Sequence, residues 1–188
     1  MSVGYFEFRL IEMSIRYNES IQWHFMSKNI LNKLIMGKYI KYIRTILIHK
    51  WYVFIECCKQ GIIWRGIVHD LSKFSPSEFI ASARYYNGES NNLQYQYAWL
   101  HHIAHNKHHW EYWVDWNFST GEYVLTDIPL KYLKEMYADI VGASKAYNKG
   151  KFDVREPYKY FLSSKTFIME QKSWSWLRNK LEELANSK

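Results

Sequence analysis

The sequence predicts an all-α fold, a single-domain bundle of about seven helices. The length of 188 residues fits one ordinary domain. Apolar residues make up 48% of the chain, and eight glycines and three prolines leave little material for linkers or disordered segments. Apolar side chains recur at spacings of three and four in successive segments, without a series of alternating strands. We therefore expect one helical domain over residues 27–188, preceded by an N-terminal extension over residues 1–26.

The first half of this domain contains three apolar segments. Residues 27–37 have helical spacing and end at a glycine, which suits a helix C-terminus. A longer helix follows over residues 43–59, and Gly61 is placed to end it in the left-handed conformation that glycine tolerates. Residues 62–71 form a shorter apolar segment. These patterns predict two helices and a short third one.

The sequence Ser75-Pro76-Ser77-Glu78 predicts the start of another helix. Ser75 is a preferred N-cap residue, and Pro76 supplies the backbone dihedral of the first helical position. Glu78 stands three residues after Ser75 and can complete a capping box. We expect this helix to end near Tyr86.

Four further segments complete the bundle. Residues 93–113 have helical spacing and contain five of the eight histidines. Pro129 opens the next helix, a short segment follows over residues 158–162, and residues 174–184 form a final amphipathic helix. These segments predict helices throughout the second half of the chain.

Positive charge is concentrated in one quarter of the sequence. The net charge is +7, and only Glu56 and Asp70 are acidic between Lys28 and Lys73. The nine basic residues of this region are Lys28, Lys33, Lys38, Lys41, Arg44, Lys50, Lys59, Arg65 and Lys73. Such a region favours an anionic partner, phosphate above all, although a solvated basic helix surface gives the same pattern.

The sequence has no membrane or secretion signal. No segment approaches the roughly twenty apolar residues that span a bilayer, and the N-terminus lacks the pattern of a cleaved signal peptide. The two cysteines, Cys57 and Cys58, are adjacent, unlike the cysteines of a secreted disulfide framework. We therefore expect a cytoplasmic protein without a membrane partner.

Three separated positions carry metal-binding side chains. His49 lies within the second helix, His69-Asp70 ends the next apolar segment, and Asp139 interrupts an apolar helical stripe. Imidazole and carboxylate ligands together suit a first-row divalent ion, and ligands from different helices can meet inside a bundle. Structural roles stay open, since a buried histidine often donates to a carbonyl and an aspartate can pair with a basic side chain.

With a histidine first, a His-Asp pair next and a distant aspartate last, the chain resembles the HD superfamily of metal-dependent phosphohydrolases. Its motifs are His49-Lys50-x-Tyr52-Val53, His69-Asp70-Leu71-Ser72-Lys73-Phe74-Ser75-Pro76-x-Glu78-Phe79, and Trp99-Leu100-His101-His102 through Asn106-Lys107-His108-His109. The resemblance implies that His49, His69, Asp70 and Asp139 bind one divalent ion. Lys73 resembles the lysine of the His-Asp-x-x-Lys variant, which lies beside the substrate phosphate. Over residues 45–165 the chain is also similar to a narrower family of small bacterial and phage proteins without an assigned reaction.

The histidines between residues 101 and 109 are candidates for further roles. On one helix, residues 102, 105 and 109 share a stripe, as do residues 101, 105 and 108, and periodicity leaves open which set faces a site. His102 and His109 lie about 10.5 Å apart along a helix axis, so they could share an ion only if the helix breaks between them. His108-His109-x-Glu111 resembles the paired histidines of a two-metal branch. The candidate roles are catalysis for Lys73, Asp70 and His102, substrate binding for Lys73, His101 and His108, and a second metal for His102 and His109.

The resemblance implies metal-dependent phosphoester hydrolysis, with a small phosphorylated ligand such as a nucleotide as substrate. One or two divalent ions (Mn, Co, Ni, Mg, Zn or Fe) would be the cofactor. Three alternatives stay open. The chain could be a metal-containing sensor or binding module for a phosphorylated ligand, a helical protein that binds nucleic acid through its basic region, or a two-iron enzyme of oxygen chemistry.

Overall fold

The computed structural model describes residues 36–89, 92–148, 151–164 and 167–187. These residues contain seven α-helices, two short 3-10 helices and one two-stranded sheet, which confirms the predicted all-α fold. The elements are α1 (36–59), α2 (Ile63–Val68), a first 3-10 helix (Leu71–Phe74), α3 (Pro76–Tyr86), α4 (Asn92–His105), a second 3-10 helix (Trp110–Trp113), β1 (Val114–Asn117), β2 (Glu122–Leu125), α5 (Leu130–Tyr147), α6 (Glu156–Ser163) and α7 (Gln171–Ala185). None of the described helices is long and apolar enough to cross a membrane.

The chain divides into two compact units, residues 1–41 and 42–188. In the first unit the structure describes residues 36–41, which are helical. The expected extension (1–26) and most of the expected helix over 27–37 lie outside the described residues. Gly37 was expected to end a helix, and this prediction is wrong because Gly37 is itself helical. One interior glycine costs a helix only about 1 kcal/mol relative to alanine, which does not suffice to end it.

The helix start predicted at Pro76 is confirmed, but the capping box is wrong. The backbone carbonyl of Ser75 accepts from the amides of Glu78 and Phe79, while its side chain makes no capping bond and instead contacts Ser77 Oγ. Glu78 is 1% exposed. Its carboxylate is engaged by two histidines of α4, so tertiary contacts outweigh the local capping pattern.

The predicted helix over residues 93–113 is shorter than expected. It ends at His105, and a hairpin of β1 and β2 follows the second 3-10 helix. The strands pair antiparallel from Val114 opposite Leu125 to Asn117 opposite Glu122, with Gly121 at positive φ in the turn. Both strands are largely exposed and show no alternation of buried and exposed residues, so the sequence did not predict this hairpin.

The main apolar core lies where α5, α6 and α7 pack together. The predicted apolar stripe of α5 is largely buried there, together with one face of α7 and Phe161 of α6. The buried members are Ile128, Leu133, Met136, Tyr137, Ile140, Val141, Phe161, Met169, Leu177 and Leu181. Since Asp139 lies on α5 between these residues, the core fixes the helix that carries it.

Helix α1 crosses α5 at a close contact between Val53 and Gly142. A Cβ atom on Gly142 would stand 2.6 Å from Val53 Cγ2 and 2.9 Å from the Val53 backbone nitrogen. Val53 lies one turn after His49, and Gly142 lies about one turn after Asp139. The missing side chain at residue 142 therefore sets how closely these two expected ligands approach each other.

Replacing Gly142 by alanine is expected to destabilise the protein. The added methyl group would press against the Val53 backbone, so we expect a net loss of about 1–2 kcal/mol in the free energy of unfolding, despite the better helix propensity of alanine. Urea denaturation followed by circular dichroism measures this loss. Gly37→Ala is the matched control, since it is helical with nothing within 4 Å of the added Cβ. Equal stability of the two variants would contradict the close contact.

Candidate metal centre

The four residues expected to bind one ion lie together. His49 comes from α1, His69 and Asp70 from the turn after α2, and Asp139 from α5. His49 Nε2 lies 3.0 Å from Asp139 Oδ1. His69 Nε2 lies 3.4 Å from Asp70 Oδ2 and 3.7 Å from Asp139 Oδ1. Ligand atoms of His49, His69 and Asp70 all lie within 4.8 Å of one another, which is close enough to surround one cation.

The turn at His69-Asp70 has an unusual backbone. Asp70 has φ 54° and ψ 26°, and it is the one non-glycine residue with positive φ in the described part of the chain. Aspartate tolerates this left-handed conformation better than most residues do. Lys50 of α1 donates to the carbonyls of Ile67 (2.7 Å) and His69 (2.5 Å), which holds the end of α2 against α1. The strained backbone sits where the ligands gather, as is common at functional sites.

A break in the helix after His105 brings three histidines together. The Asn106 side chain donates to the carbonyl of His102 (2.8 Å), and the amide of His109 donates to the carbonyl of Asn106 (3.1 Å). His102 Nε2 and His109 Nε2 are then 3.0 Å apart. On a continuous helix these two residues would have been too far apart to share an ion.

These histidines form a second group around Asp70. Asp70 Oδ1 lies 3.5 Å from both His102 Nε2 and His108 Nε2. Ligand atoms of Asp70, His102, His108 and His109 all lie within 4.8 Å of one another. Asp70 thus belongs to two donor groups, with Oδ2 on the side of His69 and Oδ1 on the side of His102 and His108.

Glu135 holds the far side of two of these histidines, and the sequence did not predict it. His69 Nδ1 lies 3.2 Å and His108 Nδ1 lies 3.4 Å from Glu135 Oε1. Arg65 Nε donates to Glu135 Oε2 at 2.6 Å. At His69, a hydrogen bond from Nδ1–H leaves Nε2 free to bind a cation, whereas His108 Nδ1 lies near Glu135 without a hydrogen bond. The available signal was the four-residue spacing to Asp139, which places both carboxylates on one face of α5.

Glu78 holds Nδ1 of His102, as Glu135 holds Nδ1 of His69. The carboxylate lies 2.9 Å from His102 Nδ1 and 2.6 Å from His101 Nδ1. His101 and His105 stack at 4.0 Å between ring centroids. The structure therefore places His101, expected to bind substrate, beside Glu78 on the outer side of His102.

His108, also expected to bind substrate, lies inside the cluster instead. Its Nε2 is 3.5 Å from Asp70 Oδ1 and 3.7 Å from Asp139 Oδ2. It is 1% exposed, because the turn at Asn106 directs it towards the two aspartates. It is therefore placed as a ligand within the donor group of Asp70, His102 and His109.

Several buried polar atoms of the cluster have no hydrogen-bond partner. Among the described residues these include His49 Nδ1, His69 Nε2, Asp70 Oδ1 and His108 Nε2. Buried polar atoms without a partner are rare, because each loses its hydration without compensation. His69 Nε2 and His108 Nε2 face the two aspartates, and Asp70 Oδ1 faces His102 and His108, so the residues present fit divalent cations between them.

The cluster also has the charge that cation binding requires. Burial would raise the pKa of the Asp139 carboxyl, but the adjacent imidazoles of His49 and His69 hold it well below its usual range. Burial would likewise raise the pKa of Asp70, but the charges of His69 and Lys73 lower it well below the ordinary value. Both side chains are therefore carboxylates at neutral pH, the form that binds metal.

Two histidines have shifted pKa values in opposite directions. Burial, reinforced by the charges of His108 and His102, lowers the pKa of His109 well below its usual range. Burial would also lower the pKa of His69, but the carboxylate of Asp70 and those of Asp139 and Glu135 raise it to about 9. A cation bound at His69 would therefore displace a proton.

The expected catalytic lysine lies against the cluster. Lys73 Nζ is 2.6 Å from Asp70 Oδ2, and the side chain is 28% exposed. Burial would lower the pKa of Lys73, but the charge of Asp70 raises it above the ordinary value, so the ammonium group stays charged. Lys73 thus offers a positive charge beside Asp70 with part of its surface open to solvent.

Three other basic residues between Lys28 and Lys73 have partners within the protein. Lys59 pairs with Glu56 at 2.9 Å, and Arg65 pairs with Glu135. Lys50 donates to two backbone carbonyls. These pairings reduce the part of the positive charge that is available to an external anion.

Comparisons with known proteins identify a family but no activity. The chain has no match among curated proteins or solved structures. A family model described as a family of unknown function, DUF5662, matches residues 38–186. This range includes every residue of the two donor groups and most of the chain, and the protein therefore belongs to the DUF5662 family.

Proposed function

We propose that this protein is a metal-dependent phosphohydrolase of the HD type, acting on a nucleotide or a related phosphoester. The observation that carries the proposal is the position of Asp70, whose two oxygens lie beside different groups of histidines. A carboxylate shared in this way is the ligand that a pair of closely spaced divalent ions requires.

The two donor groups would hold one ion each. His49, His69, Asp70 and Asp139 would hold the first, and His102, His108, His109 and Asp70 the second. The mixture of imidazole and carboxylate suits Mn, Fe, Co, Ni or Zn better than Mg, which prefers oxygen ligands. When bound, such ions polarise a phosphoryl oxygen and lower the pKa of a water molecule.

The protein side chains would prepare the site in two ways. Glu135 and Glu78 hold the Nδ1 sides of His69 and His102, so that the opposite nitrogens face the aspartates. Lys73 would offset the negative charge on the phosphoryl oxygens. In the reaction a water oxygen bonds to phosphorus, the ester P–O bond breaks, and the alcohol leaves with a proton.

Metal stoichiometry tests whether Asp70 is shared. After dialysis against Mn²⁺, we expect about two ions per chain in the unmodified protein, about one in Asp139→Asn, and loss of both in Asp70→Asn. Inductively coupled plasma mass spectrometry measures the bound metal. Asp153→Asn is the control, because its carboxylate pairs with Arg155 rather than with the cluster. Retention of both ions by Asp70→Asn would refute the shared carboxylate.

Glu78 provides a test that is selective for the second group. In Glu78→Gln the amide would hold His102 Nδ1 less firmly than the carboxylate does, so we expect the second ion to bind about 10–100-fold more weakly, with the first unchanged. Stepwise calorimetric titration with Mn²⁺ separates the two affinities. An equal loss at both steps would show that Glu78 stabilises the fold rather than one donor group.

Hydrolysis itself is tested with a panel of nucleotides and divalent metals. We expect phosphate release from at least one nucleotide, and a decrease of about 10²–10³-fold in kcat for Lys73→Gln with unchanged metal content. Lys180→Gln is the control, since Lys180 pairs with Glu183 on α7 outside the site. Folded, metal-loaded protein that binds nucleotides without turnover would favour the sensor function instead.

A further inference from the structure

A cavity of about 360 Å³ opens beside the metal cluster, between α5 and α6. Asp139 lines it, and its side chain is 24% exposed, compared with 2% for Asp70 and 0% for His69. Asp139 is therefore the member of the first donor group most accessible to a ligand. A molecule in this cavity would reach the cluster at Asp139.

The cavity has the chemistry of a site for a planar organic group. Tyr147 and Tyr160 contribute aromatic rings, and Pro157 and Ile140 contribute apolar surface. Tyr147 and Tyr160 are both exposed, so their rings can contact a ligand. The volume lies within the range of pockets that bind small molecules, and aromatic side chains stack on nucleobases.

One carboxylate in the cavity lacks a cationic partner. Glu156 Oε2 accepts from Ser144 Oγ at 3.3 Å and from Asn148 Nδ2. In the described part of the chain no lysine, arginine or histidine pairs with Glu156, and its Oε1 has no hydrogen-bond donor. A partly buried anionic acceptor favours a ligand that presents N–H donors and repels phosphate.

These features impose an orientation on a nucleotide. The phosphate would lie towards Lys73 and the metal cluster, since the carboxylate of Glu156 disfavours it within the cavity. The base would lie between the tyrosines with its hydrogen-bonding edge at Glu156. Guanine carries two adjacent N–H groups on that edge, whereas uracil carries one N–H between two carbonyl oxygens, which a carboxylate repels.

We propose that this cavity binds the base of the substrate and that Glu156 selects guanine. The proposal rests on the proposed function, because it places the phosphate of the same molecule at the metal cluster. It extends that function by naming the substrate class, a guanine nucleotide, and the residue that recognises it.

Binding of nucleosides tests the cavity without requiring turnover. With the full-length, Mn²⁺-loaded protein, we expect guanosine to bind at least about tenfold more tightly than uridine in equilibrium dialysis. Glu156→Gln should remove this preference, because the amide adds a donor opposite the guanine N–H groups. Glu183→Gln on α7 is the matched control. Equal binding of the two nucleosides, binding of neither, or an unchanged preference in Glu156→Gln would overturn the proposal.

A second variant separates stacking from base selection. Tyr147→Leu removes an exposed ring at the end of α5, and we expect it to weaken guanosine and uridine binding by the same factor. If Tyr147→Leu leaves both affinities unchanged, the nucleoside binds elsewhere and the assignment of the cavity fails.

Kinetics distinguish failure of this proposal from failure of the proposed function. We expect Glu156→Gln to lower kcat/KM for GMP about tenfold and to leave 4-nitrophenyl phosphate hydrolysis unchanged, because that substrate has no N–H donor. Equal losses on both substrates would overturn the role of Glu156. Selective guanosine binding without hydrolysis of any phosphoester would refute the enzyme and leave guanine recognition standing.

Discussion

The buried carboxylate of Asp70 is the interaction on which the rest of the site depends. It lies within 4 Å of nitrogen atoms from α1, from its own turn, from α4 and from the turn after α4. Isolated from water, an aspartate can remain charged only if cationic or donor groups surround it. The bundle satisfies this requirement by bringing side chains from distant parts of the chain to one residue, whose backbone is itself held in a left-handed conformation.

Around this carboxylate the side chains form two shells. In the inner shell, histidine nitrogens and aspartate oxygens face one another, and several lack hydrogen bonds. In the outer shell, Glu135 binds Nδ1 of His69, Glu78 binds Nδ1 of His102, and Arg65 in turn neutralises Glu135. These bonds fix the rings of His69 and His102 before a cation binds, so little reorganisation of these two ligands is needed on binding.

Local apolar spacing predicts most of the helices. His49, His69, Asp70 and Asp139 interrupt apolar segments, but their selection as one group rests on the resemblance to the HD superfamily, and the structure brings them together. Glu78 was misread because a serine three residues earlier makes the same local pattern as a capping box. The orientation of His108 depends on the break at Asn106, where the Asn106 side chain bonds back to the carbonyl of His102, and this bond leaves no periodic signal. Glu135 gave no signal apart from its spacing to Asp139.

The turn at Asn106 has a consequence for how the gene can vary. His102 lies on one side of it and the adjacent pair His108 and His109 on the other. The length of the turn therefore sets where both His108 and His109 stand relative to His102. Inserting or deleting a single codon between residues 105 and 108 would displace two clustered histidines at once. A length change in the exposed hairpin loop at residues 118–121 would move none of them. Insertions and deletions among natural copies of this chain should therefore be common in the hairpin loop and rare in the turn at Asn106.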